Sequence, residues 1–173
     1  MVGPGLLSAA VSGNVFACTS VVVPLQRWAV DLTAAAAARP RPRLTPPPPP
    51  LAPNTNQIKK GLELIDNEKG ILMVIPQYTG DVLHFGLAKE QYAAANPASN
   101  VRILFVGEDV SVGRSQGSMV GRRGLAGAVL VYKLAGALAD KGKSVDDVYK
   151  LARFVVDSTA TLGVGLDHCH VSP

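Results

Sequence analysis

Gly70-Ile71-Leu72-Met73-Val74-Ile75-Pro76-Gln77-Tyr78-Thr79-Gly80-Asp81-Val82-Leu83-His84-Phe85-Gly86 is the stretch on which the fold turns. Five consecutive apolar residues, with β-branched members and a glycine in front, suit a strand buried on both faces, the kind found in parallel sheets. Pro76 to Asp81 then reads as a tight polar turn, and Val82 to Gly86 as the amphipathic start of a helix. Thr79 and Asp81 are both residue types that cap helix N-termini. In an open α/β sheet such turns lie at the carboxyl ends of the strands, beside the crevice where ligands bind. From the pattern alone, Asp81 is either a helix cap or a carboxylate placed to act as a general base.

On the N-terminal side, Ile58, Leu62 and Ile65 recur at helical spacing against Lys59, Lys60, Glu63 and Glu68, which predicts an amphipathic helix over 56–68 ended by Gly70. On the C-terminal side, the helix begun at the turn should run to about Ala95, before Asn96-Pro97. Val101 to Val106 reads as a second buried strand, and Glu108 to Gly121 as a polar, glycine-rich surface connection at the carboxyl edge of the sheet. Gly124 to Lys141 predicts a long helix whose small residues Gly127, Ala128, Ala135 and Gly136 permit close packing. Ser144 followed by Asp147 resembles a capping box opening a helix from Val145 to Leu162, and Gly163 to Val171 reads as a third strand. The class is α/β, a layered sandwich with a mostly parallel sheet.

Residues 56–173 form the expected globular domain, with 1–20 as an N-terminal piece of it. Between them, 21–55 changes composition abruptly: Ala34 to Ala38, an Arg-Pro alternation from Arg39 to Arg43, then Pro46 to Pro50. Five consecutive prolines cannot enter a helix or a central strand and favour an extended polyproline conformation. The segment is read as a disordered, low-complexity linker. A solvated spacer, a proline ligand for an aromatic-lined recognition domain and the product of a wrongly joined coding sequence all remain open readings.

The 173 residues are 47% hydrophobic and 5% aromatic, which points to an aliphatic core. The formal net charge is +4, and Arg27, Arg39, Arg41 and Arg43 in the low-complexity segment account for it. Basicity is therefore weak evidence for a nucleic-acid partner, and none is expected. Cys18 and Cys169 have no paired spacing and read as reduced thiols of a cytoplasmic protein. The apolar start from Gly5 to Val23 is broken by Ser8, Ser12, Asn14, Thr19 and Ser20, so neither a signal peptide nor a membrane span is expected.

Four segments resemble, in order, the substrate-binding K (DhaK-like) domain of dihydroxyacetone (glycerone) kinases of the eukaryotic, fungal, ATP-dependent type. They are Tyr78 to Ala88, Val106 to Arg114, Gly121-Arg122-Arg123-Gly124-Leu125-Ala126-Gly127, and Gly163 to Val171. The resemblance covers 56–173 almost continuously and Gly3 to Ser20 more loosely. It implies a partial domain of a larger sheet, a ligand that is dihydroxyacetone or a related small ketone, and Asp81 as the group that helps deprotonate the attacking hydroxyl. Thr79, Gly80 and Asp81 are the implied substrate-binding residues. ATP with magnesium is implied on a separate L domain, and a homodimer or a full-length kinase as partner. Three departures argue against turnover by this chain alone. Pro76 stands where the family often has a substrate-holding lysine, and the family's Ser-Gly-His-Glu-Pro loop and its covalent substrate histidine have no counterpart here. The alternative is a non-catalytic interaction module derived from a truncated kinase paralogue.

No metal site is expected from His168-Cys169-His170, because on a strand the cysteine faces away from the two histidines. His84 reads as a helix-surface or core histidine. Gly113 to Gly117 and Gly121 to Gly124, with Arg114, Arg122 and Arg123, match neither the P-loop nor the dinucleotide fingerprint. Contact with a partner domain or subunit is favoured there over direct phosphate contact.

Overall fold

The computed structural model describes residues 53–113 and 121–164, together with the backbone of two short strands nearer the N-terminus. In chain order the elements are β1 (Ala9–Val11), β2 (Ser20–Pro24), α1 (Thr55–Ile65), β3 (Ile71–Pro76), α2 (Thr79–Ala95), β4 (Val101–Val106), α3 (Gly127–Asp140) and α4 (Val145–Asp157). The strands form one sheet in the order β1-β2-β3-β4. β3 and β4 run parallel, Ile71 opposite Val101 through Pro76 opposite Val106, with α2 as their crossover. β2 joins β3 antiparallel, with Val21 opposite Val74, and β1 joins β2 antiparallel. The observed class is the layered α/β sandwich expected; β3 and β4 are its parallel pair, and the other two pairings among the described strands are antiparallel. β2 takes in Val21 to Pro24, the first residues of the stretch read as linker; Pro46 to Pro50 lie outside the described residues.

All six residues of β3 are buried, and their alternation divides the core in two. Leu72 and Val74, with Leu104 and Val106 of β4, face α3 and α4 and pack against Val131, Tyr132, Ala135, Val148 and Ala152. Ile71, Met73 and Ile75 face the other way, onto Ile58 and Leu62 of α1 and Phe85 and Tyr92 of α2. Helices thus cover both faces, as an unbroken apolar strand demands.

Local chemistry sets the helix ends. Asn54 and Gln57 form a reciprocal capping box at the start of α1, each side chain accepting from the other's backbone N–H at 2.9 Å. α1 stops at Ile65 rather than at residue 68. Asp66 leaves the helix in an extended conformation, and its carboxylate accepts from Tyr92 Oη at 2.8 Å and from the Ser99 hydroxyl. α2 ends at Ala95 as expected. The Ser144 hydroxyl caps α4 by accepting from Asp147 N–H at 3.2 Å.

Two helices are shorter than their sequence pattern. α3 begins at Gly127, not Gly124, because side-chain and backbone partners hold 121–126 out of the helix. α4 stops at Asp157, not Leu162: Thr159 Oγ1 bonds back to Val155 O at 2.6 Å, and Thr161 leaves to make a single parallel bridge with Asp109. Gly163 and Val164 are not in a strand, and the rest of the expected third strand lies outside the described residues.

Candidate functional site

The carboxyl ends of β3 and β4 are adjacent because the strands are parallel: the backbone N–H of Gln77 still donates to Val106 O at 2.8 Å, one step beyond the last paired residues. The chain then turns into α2 with Tyr78 as N-cap, so neither Thr79 nor Asp81 occupies the cap position. The extended Tyr78 backbone sets the helix start one residue earlier than a Thr79 cap would. Thr79 and Gly80 occupy the first two helical positions and are exposed, whereas Asp81, in the first turn, is only 3% exposed. A carboxylate there is favoured by the positive end of the helix dipole. The phenol of Tyr78 donates to Gly124 O at 3.2 Å, which ties the turn to the segment in front of α3. His84 Nδ1 lies 2.9 Å from Pro53 O and joins α2 to the entry of α1.

The first two residues of the connection after β4, Glu108 and Asp109, depart from the expected surface placement, whereas Val110, Ser111 and Gly113 are exposed. Glu108 is 2% exposed and Asp109 fully buried. Glu108 Oε1 accepts from Leu125 N and Gly127 N, both at 2.8 Å, and from Thr161 Oγ1 at 3.1 Å. One carboxylate oxygen thus joins the end of β4, the start of α3 and the chain beyond α4, and satisfies N–H groups that a helix leaves without internal partners. Asp109 Oδ1 accepts from Ser111 N at 2.9 Å, and Oδ2 pairs with Arg123 at 3.1 Å. Hydrogen bonding from Ser111, helped by the Arg123 guanidinium, outweighs the cost of burial and holds the Asp109 carboxyl below the usual aspartate range. The sequence signal available for both was a Glu-Asp pair immediately after a buried strand and a glycine.

Glycines let 121–124 lie directly over the strand ends. A Cβ at Gly121, whose φ is +77°, would fall 1.7 Å from Gln77 Nε2, and one at Gly124 would fall 2.4 Å from Val106 O and 2.7 Å from Pro76 Cα. The segment is a strap across Pro76-Gln77-Tyr78, fixed from below by Glu108 and Asp109. Thr79, Gly80 and Asp81 follow one another in the first turn of α2, and Glu108, Asp109 and the strap, which sequence reasoning did not single out as buried, lie at the same carboxyl edge of the sheet. Arg114 and His168-Cys169-His170 lie outside the described residues. Among the described residues no three His, Cys, Asp or Glu side chains are grouped as a metal site, and no helix is long and apolar enough to cross a membrane.

The Dak1 domain pattern matches residues 51–173. Dihydroxyacetone kinase 2 of Saccharomyces cerevisiae is 46% identical over 120 residues, covering 69% of this chain and 20% of that protein. Among solved structures, the dihydroxyacetone kinase from C. freundii in complex with AMP-PNP and Mg2+ superposes with a TM-score of 0.55 at 32% identity, over 61% of this chain and 18% of that one. A dihydroxyacetone kinase operon co-activator superposes with a TM-score of 0.53 at 27% identity, over 61% of this chain and 31% of that one. The chain spans about a fifth of the length of the yeast relatives that it matches.

Proposed function

This chain belongs to the Dak1 domain family, and from that premise we propose that its Asp81 turn binds dihydroxyacetone or a related small ketone as the substrate side of a phosphoryl transfer. The observation that carries the reading is the burial of Asp81, 3% exposed, in the first turn of the helix that leaves the parallel strand β3. A buried carboxylate beside exposed Thr79 and Gly80 can accept the proton of a ligand hydroxyl as that oxygen becomes a nucleophile. Phosphoryl transfer asks the protein mainly for positioning and for such an acceptor. Thr79 and Gly80, whose backbone N–H groups belong to the open end of α2, are assigned to orient the ligand's oxygens.

The phosphoryl donor is a separate matter. Among the described residues no three His, Cys, Asp or Glu side chains are grouped to hold a metal. We assign ATP and magnesium to another domain. Purified chain given ATP, magnesium and dihydroxyacetone is accordingly expected to form no triose phosphate; sustained product formation would overturn that part of the reading. Pro76, which supplies no hydrogen-bond donor at the end of β3, favours the same outcome.

A second reading is a ligand-binding module without catalysis, favoured by the likeness to the operon co-activator. Both readings require a ketone site, and Asp81→Asn tests it. Ligand-observed NMR titration of dihydroxyacetone onto the full chain should give saturable binding that Asp81→Asn weakens about tenfold, the scale of a lost charged hydrogen bond. Absence of saturable binding to the wild-type chain would sink both readings.

A further inference from the structure

β3 is apolar throughout and β4 is apolar apart from Arg102, yet every residue of β3 is buried while Ile103 and Phe105 of β4 are only half-buried. The difference is position: β4 is the last strand of the sheet and is paired with β3 alone. Asn100 O and Val106 O accept from Ile71 N–H and Gln77 N–H, so the even-numbered residues along β4 turn their main-chain groups toward β3. Val101, Ile103 and Phe105 turn theirs outward. Among the described residues no strand lies on that side to meet them.

An open edge of this kind invites another strand, and proteins that stay apart guard it with proline, a bulge or a free charge. β4 has neither proline nor glycine. Its one charge is drawn aside onto α4, where Arg102 pairs with Asp146 and its guanidinium lies 5.6 Å from the centre of the Tyr149 ring. α4 packs on β4 and β3, whereas α3 packs on β3 and β2, so α4 flanks the open edge. It also runs in the direction of β4. Val145 stands at the start of the strands, 3.2 Å from where a Cβ on Gly70 would be, and Thr161, past the end of α4, bonds to Glu108, past the end of β4. Asp146 and Arg153, about two turns apart, lie on the face of α4 that carries Tyr149 to the edge. Their side chains are 50% and 56% exposed, so each can take a further partner.

We propose that the open edge of β4 is a dimer interface, in which β4 pairs antiparallel with β4 of a second copy of this chain across a two-fold axis. Pairing centred on Ile103, with Val101 opposite the partner's Phe105, satisfies every outward N–H and C=O of the strand. The two-fold axis reverses the flanking helix as well, so the acidic start of α4 meets the basic end of its copy, Asp146 against the partner's Arg153. A parallel arrangement would instead set Asp146 against the partner's Asp146, and like charges placed opposite one another repel. This self-complementary charge pattern is what selects a second copy as the occupant. The inference uses no residue of the Asp81 turn and stands apart from the ketone reading.

Sedimentation velocity of the full chain, from about 1 to about 100 μM, should show a monomer giving way to a dimer. Asp146→Lys alone and Arg153→Glu alone should each weaken that dimer about tenfold or more, because each sets like charges against one another at both ends of the interface. Mixed in equal amounts, the two variants should regain wild-type association as a heterodimer, since every facing pair is then of opposite sign. Exposed ion pairs contribute little to folding, so both variants are expected to melt as wild type does. Should either unfold, amide hydrogen exchange on the wild-type chain decides: Ile103 and Phe105 should exchange about tenfold more slowly in concentrated than in dilute protein. A chain that stays monomeric throughout overturns the proposal. So does a dimer that neither variant weakens, one that mixing fails to restore, or one whose Ile103 and Phe105 amides exchange at the same rate at both concentrations.

Discussion

After β3 the chain needs two residues, Gln77 and Tyr78, to enter α2; after β4 it needs twenty, from 107 to 126, to enter α3. Both connections leave the same edge of the same parallel pair, yet they are held by different forces. The short one is an extension of the ladder, with the Gln77 N–H still bonded to Val106 O, and its helix is seated by Phe85 and Ala88 in an aliphatic core. The long one starts under the strap, where its backbone groups would be starved of partners, and two buried carboxylates provide them. The comparison teaches that polar residues following a buried strand can be structural cement, while Thr79 and Gly80 of the neighbouring turn stay exposed.

The contrast breaks most visibly at Glu108. Glu108→Ala deletes the acceptor for two backbone N–H groups and the Thr161 hydroxyl, in a place water does not reach freely. At about 1–3 kcal/mol for each group left unsatisfied, a loss of about 3 kcal/mol or more is expected in urea unfolding. A loss below about 1 kcal/mol would mean that the long connection is not cemented in this way.

Asp109 sharpens the same point through pH. Its carboxyl is depressed from 3.8 in the fold, by Ser111 first and Arg123 after, against the cost of burial. Below the ordinary value the unfolded chain takes up a proton that the folded chain still refuses, so stability falls as acid is added. The contribution is complete above that value and is lost as pH descends through the depressed one. Asp109→Asn should flatten the acid limb of a plot of melting temperature against pH and lower stability at neutral pH. An acid limb of unchanged slope would remove Asp109 from the cement.

How much of this was legible in the sequence follows the same division. β3, β4 and α2 announce themselves because burial on both faces demands an unbroken apolar run and the turn residues sit within a few positions of it. The location of Asp81 was equally readable, but its burial was not, because a helix-starting aspartate is compatible with a solvated cap. Glu108 and Asp109 were read as surface residues because charge and glycine content dominate a local window. Apart from Ser111, their partners stand 14 to 53 positions further on, at Arg123, Leu125, Gly127 and Thr161, and no periodicity encodes a contact of that span. The ends of α3 and α4 were missed for the same reason, since Leu125, Gly127 and Thr161 are taken by Glu108 rather than by the helices.

The smallest expected effect tests the apolar side of the comparison. Gly86 stands in the middle of α2, and a Cβ built there meets nothing within 4 Å. Glycine in a helix interior costs about 0.5–1 kcal/mol relative to alanine, mostly through the freedom of the unfolded chain, so Gly86→Ala should raise stability by that amount in urea unfolding. Its helical neighbours Leu83 and Leu87 are themselves 64% and 51% exposed, so this stretch of α2 lies open. A destabilised Gly86→Ala would mean that another surface closes over it. The short connection would then need a partner to hold its helix, as the long one needs its carboxylates.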